Sequence, residues 1–199
     1  LPLMLLPYFL FHLKGRSRML FFGALTLSSI IIMWPIANGV AIFSFMNSAD
    51  LYFQKFEFNA SVYYLMRWVG KILSGYNLIY YIGPMLGLIT VLINVKLANR
   101  YAKDDFSKFF KYALLVWIVY LLLATTVHPW YVICLLFLGM FTKLRYPYIW
   151  SYLIIISYIN YSYSVYYENL WWIALEYALL FGFIIFEYFS NTRKTMFTH

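Results

Sequence analysis

Three stretches of this chain carry side chains able to bind or react, set in a sequence otherwise dominated by hydrocarbon. The first is Ala124–Ile133, Ala-Thr-Thr-Val-His-Pro-Trp-Tyr-Val-Ile. His128 offers a ring that exchanges a proton near neutral pH, and Trp130 and Tyr131 pair an apolar ring with a polar atom. Pro129 has no amide donor and disfavours helical backbone at His128, so the spacing predicts a tight turn with a helix on either side. The second stretch is Phe56–Gly70. Asn59, Tyr63, Met66, Arg67 and Gly70 recur at helical spacing and share one face, with Phe58, Val62, Leu65 and Val69 beside them. The guanidinium of Arg67 fits phosphate oxygens as a fork, while Asn59 and Tyr63 suit hydrogen bonds to a sugar. The plainer reading is an amphipathic connector whose arginine snorkels to water. The third stretch holds Glu168 and Glu176. Glu168, in a short loop, reads as a solvated acid or base. Glu176 lies inside an apolar run, where carboxylates are costly and functional by default, with Tyr163 or Arg67 as candidate partners.

The elements that must position these residues are membrane helices. The chain has 199 residues, 64% hydrophobic and 11% charged, with a mean hydropathy of +0.74; soluble domains carry about 25% charged residues. The expected fold is an all-α polytopic bundle of about seven membrane segments with an amphipathic helix at its outer face. The net charge of +8 belongs to topology and not to nucleic-acid binding. Cys134, the one cysteine, permits no internal disulfide and reads as a small core residue. The chain opens on Leu1 inside an apolar run, which reads as the C-terminal part of a longer protein with a single transmembrane domain over residues 1–199.

In order, Leu1–Leu13 reads as the tail of a helix interrupted at Pro2 and Pro7, and Lys14–Arg18 as a basic loop. Met19 to about Phe45 is a membrane segment broken near Pro35 and Gly39. Asn47–Gly75 is an outer loop with an interfacial helix, containing Asp50, Lys55, Glu57, Arg67 and Lys71. Tyr76–Val95 is a span, Lys96–Lys111 a charged connector, Tyr112–Val127 a rising segment and Tyr131–Phe141 its return. Lys143–Pro147 is a basic loop, Ile149–Ser164 a sixth segment, Tyr166–Asn169 a loop and Leu170–Phe189 a seventh segment. Twelve of the fifteen basic residues fall in the loops at 14–18, 96–111 and 143–145 and in the tail at Arg193-Lys194. Keeping basic loops inside places the C-terminus in the cytoplasm. It also puts 47–75, the His-Pro-Trp-Tyr turn and 166–169 together outside. Asp104-Asp105, flanked by Lys103 and Lys108, reads as a solvated or capping pair, and no zinc spacing, phosphate-binding glycine loop or nucleophile elbow occurs. Asn59-Ala-Ser61 matches a glycosylation sequon, relevant only in a eukaryotic lumen.

Phe56-Glu-Phe-Asn-Ala-Ser-Val-Tyr-Tyr-Leu-Met-Arg67, Gly75-Tyr-Asn77 and Thr126-Val-His-Pro-Trp-Tyr131 together resemble bacterial membrane glycosyltransferases of the GT-C class. The nearest kin are mannosyltransferase-like members that use polyprenyl-phosphate sugars, and the resemblance covers the chain from about residue 45 onward. It implies a hexosyltransferase in the bacterial inner membrane with a periplasm-facing site. Such an enzyme passes a sugar from a polyprenyl-phosphate donor to a lipid or glycan acceptor, surrounded by membrane lipids. It implies donor-phosphate contacts from Arg67, His128, Trp130 and Tyr131, and substrate contacts from Asn59, Tyr63 and Tyr64. The family's acidic base lies in its first outer loop, so that base is expected upstream of this chain, with Asp50 and Glu57 in a later loop. No cofactor is evident, and no ligand set supports a divalent metal. A transporter or lipid flippase, which builds midplane sites on broken helices, and a non-enzymatic membrane assembly subunit are the competing readings.

Overall fold

The computed structural model describes residues 2–37, 43–48, 56–162 and 167–196. Gly39, Asp50, Lys55, Tyr163 and Tyr166 lie outside the described residues. Among the described residues the helices are α1 (Pro2–His12), α2 (Gly15–Met33), α3 (Val62–Ser74), α4 (Ile79–Tyr101), α5 (Phe109–Leu123), α6 (Ile133–Gly139), α7 (Tyr146–Leu153) and α8 (Leu170–Met196), and residues 43–48 are helical as well. Tight 3-10 turns occupy Trp34–Ile36, Phe106–Lys108, Pro129–Val132 and Ile154–Tyr161. Among the described residues four segments are long and apolar enough to cross a membrane: Gly15–Met33, Ile79–Tyr101, Phe106–Leu123 and Leu170–Ser190. The chain is a helical membrane protein.

The packing follows from the residue patterns. On α4, Ile82, Leu86, Thr90, Asn94 and Ala98 are buried, one every fourth residue, which lays a single stripe along the helix. That stripe meets α1, α3 and α5. On α5, Tyr112, Ala113, Leu114, Val116, Trp117, Ile118 and Leu121 are buried. Residues on every side of α5 are therefore inside, and it is the central helix. α8 closes the far flank with Ile173, Glu176, Tyr177, Leu180 and Glu187 on its buried side, against α7.

Polar side chains lock these helices at the end carrying most of the basic residues. Tyr112 donates to Asn94 Oδ1 (2.7 Å) and Asn94 Nδ2 to the Met4 carbonyl (2.8 Å), tying α1, α4 and α5 together. Glu187 of α8 accepts from the amides of Arg145 (2.7 Å) and Tyr146 (3.0 Å), filling donors that the start of α7 leaves open.

The boundaries depart from the sequence expectation where tertiary contacts intervene. α2 begins at Gly15, so Arg16 and Arg18 lie in its first turn, and Arg18 Nε bonds the Leu13 carbonyl at 3.0 Å. α4 runs on through Lys96 and Arg100, because no proline or glycine stands between Val95 and Tyr101. The expected return Tyr131–Phe141 is α-helical only over the seven residues of α6, about 10 Å, after a 3-10 turn. The expected segment 149–164 is the eight residues of α7 followed by eight of 3-10 turn, Ile154–Tyr161, an unusually long run of that tighter winding.

Candidate functional site

Three stretches meet at one end of the bundle: residues 56–61, residues 124–132 and residues 167–169. Ala124 leaves α5 in an extended conformation (φ −67°, ψ 148°), and His128 is extended as well (φ −77°, ψ 147°), as a residue before proline should be. The expected tight turn is thus a short extended run followed by the turn Pro129–Val132. The run pairs in parallel with Phe58. Phe58 N–H donates to Thr125 O at 3.1 Å, and Val127 N–H to Phe58 O at 2.8 Å.

Alternation along this extended piece sorts the side chains. Successive residues of extended backbone point opposite ways. Phe56 and Phe58 turn toward His128, with ring centroids at 5.9 and 5.2 Å. Glu57 turns away, toward Arg67 at 2.5 Å. The other face of His128 stacks on Trp130, 4.3 Å away and 10° from parallel, and Tyr131 meets its edge at 5.4 Å. Both imidazole faces are occupied, so stacking of a sugar on His128 is blocked and only its edge is open. Burial pushes the imidazole pKa down, and Nδ1 is buried without a hydrogen-bond partner among the described residues.

Asn59 is the hub. Its backbone is left-handed (φ 47°), a conformation that asparagine tolerates better than other side-chain-bearing residues. It is fully buried, and three of its polar groups are engaged. Its N–H donates to Glu168 Oε1 at 2.6 Å, and its carbonyl accepts from the Tyr177 hydroxyl at 2.8 Å. Its Nδ2 lies 3.3 and 3.2 Å from the two oxygens of Glu176. Glu176 also accepts from Trp150 Nε1 at 3.2 Å. The expectation that Asn59 shares a helical face with Tyr63 and Arg67 is corrected: α3 starts at Val62 and Asn59 sits in the loop before it. The sequon is correspondingly unusable in this fold, because the Asn59 amide is inside.

α3 carries the rest. Tyr63 donates to Glu57 Oε2 (2.6 Å) and contacts Asn77 Oδ1 (3.0 Å), while Asn77 Nδ2 donates to the same Glu57 oxygen at 3.3 Å. Tyr64 donates to Glu168 Oε2, and the Arg67 guanidinium lies over its ring, 4.3 Å from the centroid. Burial, reinforced by Glu168, pushes the Tyr64 phenol far up, so it stays a donor. Burial also raises the Glu168 carboxyl above the usual range, against the opposing pull of the Tyr64 and Asn59 donors. Glu168 is therefore a held, partly desolvated carboxylate, where the sequence suggested a solvated one. Gly75 ends α3 in a left-handed conformation (φ 81°), which frees the chain to turn toward Asn77.

Arg67 spends Nη1 on Glu57, and its other N–H groups have no hydrogen-bond partner among the described residues, which leaves donors for an oxyanion. Arg67 and His128 stand on opposite sides of the 56–58 segment, sharing no direct contact among the described residues. At the opposite end, Asp104 pairs with Lys108 at 3.2 Å on the surface. No group of three or more His, Cys, Asp or Glu side chains that could hold a metal ion occurs among the described residues.

Comparison with protein-family models, with curated proteins and with solved structures finds no match for this chain.

Sequence reasoning singled out Arg67, His128, Trp130, Tyr131, Asn59, Tyr63, Tyr64, Glu168 and Glu176. It set Glu57 aside and passed over Trp150 and Tyr177. One signal was available. Outside the basic loops, Glu57, Glu168 and Glu176 are three of the chain's seven acids, and all three gather at this end.

Proposed function

We propose that this chain is the sugar-transfer portion of a membrane glycosyltransferase of the GT-C kind, acting on a polyprenyl-phosphate sugar such as a mannosyl donor. One observation carries the reading. Tyr64 brings a cation and a carboxylate together, Arg67 over the face of its ring and Glu168 on its hydroxyl. Sugar transfer from a lipid phosphate needs those two groups on either side of one carbon. Glu168 takes the proton from an acceptor hydroxyl, whose oxygen forms a bond to the anomeric carbon. The bond from that carbon to the phosphate oxygen breaks, and its electron pair leaves on the phosphate. The free N–H groups of Arg67 stabilise the growing negative charge. The resemblance assigns the base to a residue upstream; in this reading Glu168 fills that role within the chain. His128, neutral through burial, offers one ring-edge hydrogen bond, with Trp130 and Tyr131 bordering it.

The reading carries its topology with it. The bundle sits in a bacterial inner membrane with the C-terminus in the cytoplasm and the Tyr64 end in the periplasm. Seven segments alternate across it, the short ones dipping in and returning, and α3 lies in the interface with Leu65, Trp68, Ile72 and Leu73 toward lipid. The test is sugar transfer from polyprenyl-phosphate donors in membranes carrying the full-length protein, with Glu168→Gln and Arg67→Ala beside wild type. Loss of transfer at normal protein level is expected; undiminished transfer in both variants overturns the reading. Glu176 is fully buried and offers a transporter no open midplane charge, whereas Glu168 is part-buried and keeps access to a substrate.

A further inference from the structure

Asn59 is tied at three points to the stretch that leads into α8. Its N–H donates to Glu168 Oε1 at 2.6 Å, its carbonyl accepts from the Tyr177 hydroxyl at 2.8 Å, and its Nδ2 reaches both oxygens of Glu176. Glu176 and Tyr177 are consecutive residues of α8, and both are buried. Glu176 is itself fixed from α7 by Trp150 Nε1 at 3.2 Å. The Asn59 side chain has no second anchor, because its Oδ1 is buried without a hydrogen-bond partner among the described residues.

The hold matters because of the backbone it restrains. Asn59 is left-handed (φ 47°), a conformation that is costly for a residue with a Cβ. Relaxation toward an ordinary φ rotates the peptide between Phe58 and Asn59, and with it the N–H that Glu168 accepts.

We propose that Glu176 is a positioning residue for Glu168: by holding the Asn59 amide it keeps the Asn59 N–H aimed at the Glu168 carboxyl. The catalytic meaning rests on the transferase reading, in which Glu168 is the base. Glu176 then sets the pH range over which that base is ionised, while staying sealed from substrate itself.

The sign follows from hydrogen bonding. A donor to a carboxylate favours its ionised form, and the Asn59 N–H pulls the Glu168 carboxyl down against burial. Releasing Asn59 therefore raises the pH at which Glu168 ionises. The other groups acting on Glu168 are Tyr64, Glu57 and Arg67, and Tyr161 and Tyr177 lie within its field. All of them are kept in the variants that test the idea.

The test follows Glu168 itself, by infrared titration of the full-length protein in nanodiscs, with Glu168→Gln as the difference sample that assigns its band. Glu176→Leu fills similar space and releases the Asn59 amide. Asn59→Ala removes the amide from the other side and carries the same test independently. Each is expected to raise the Glu168 midpoint by about one pH unit, and the double variant no further than either alone. Glu176→Gln removes the same charge yet still accepts from Asn59 and Trp150, so its midpoint should stay at or below that of wild type. A role confined to packing would lower the melting temperatures of Glu176→Leu and Asn59→Ala and leave the midpoint unmoved, which overturns the proposal. An equal rise in Glu176→Gln and Glu176→Leu overturns it as well. The two ideas fail separately. A shifted midpoint in a protein that transfers no sugar keeps the positioning role and removes the transferase reading, and sugar transfer with an unmoved midpoint does the reverse.

Discussion

At Glu168 two opposing forces meet, and their balance sets both pH dependence and stability. Burial raises its carboxyl pKa, and the donors from Tyr64 and Asn59 pull it back. A base must be ionised to act, so transfer should rise with pH through the raised pKa. Tyr64→Phe removes a donor that favours the ionised form; the acid limb of the pH–rate profile should then move to higher pH, and an unmoved limb would exclude Glu168 as the base. The linkage sign follows from the same shift. A carboxyl whose folded pKa lies above its unfolded one contributes stability that is present at acid pH and lost as the pH rises through the raised value. Glu168→Gln, which resembles the protonated acid, should therefore melt no lower than wild type at neutral pH while transfer falls roughly 10²–10⁴-fold. His128 presents the contrary case. Its ring is packed between Phe58 and Trp130, and such aromatic pairs contribute about 0.5–1.5 kcal/mol each beyond burial. His128→Ala should cost about 1–3 kcal/mol by thermal or denaturant melting, and His128→Phe much less.

Among the elements, the loop before α3 and the start of α7 are each held by a carboxylate of α8. Asn59 occupies a left-handed backbone position, where alanine is strained by about 1–2 kcal/mol. Asn59→Ala also strips a donor from Glu176, so it should destabilise more than Asn59→Gly, which keeps only the second defect. Equal melting temperatures for the two variants would show that the backbone conformation carries no strain. At the other end, Glu187 serves the first amides of α7. Glu187→Ala should cost about 0.5–2 kcal/mol, as loss of a helix cap does. Hydrogen exchange should quicken first at Arg145 and Tyr146.

For the whole molecule, the distribution of basic residues makes a prediction about sidedness. In a Cys134→Ser background, single cysteines at Ser17, Lys103 and Lys143 should react with an impermeant maleimide from one side of the membrane. Cysteines at Lys71 and Tyr167 should react from the other, and labelling of all five from one side would discard the proposed topology.

Composition pointed to a membrane protein, because so apolar a sequence can satisfy its backbone in lipid only within helices or a closed barrel, and the long unbroken apolar runs pointed to helices rather than the alternating strands of a barrel. Local pattern also marked Arg67, His128 and Glu176, and Pro129 announced the extended backbone at His128. The site itself was decided by tertiary structure. Asn59 and Glu176 are 117 residues apart, and no helical or strand period relates them. Asn59 left the expected helix face because its amide is worth more against a buried carboxylate than in water. Glu57 faces Arg67 because residues 56–58 pair with residues 125–127, and Glu168 is desolvated because Tyr64 and the Asn59 loop close over it. Each outcome depends on where distant helices place their ends, which neighbouring residues in the chain do not encode.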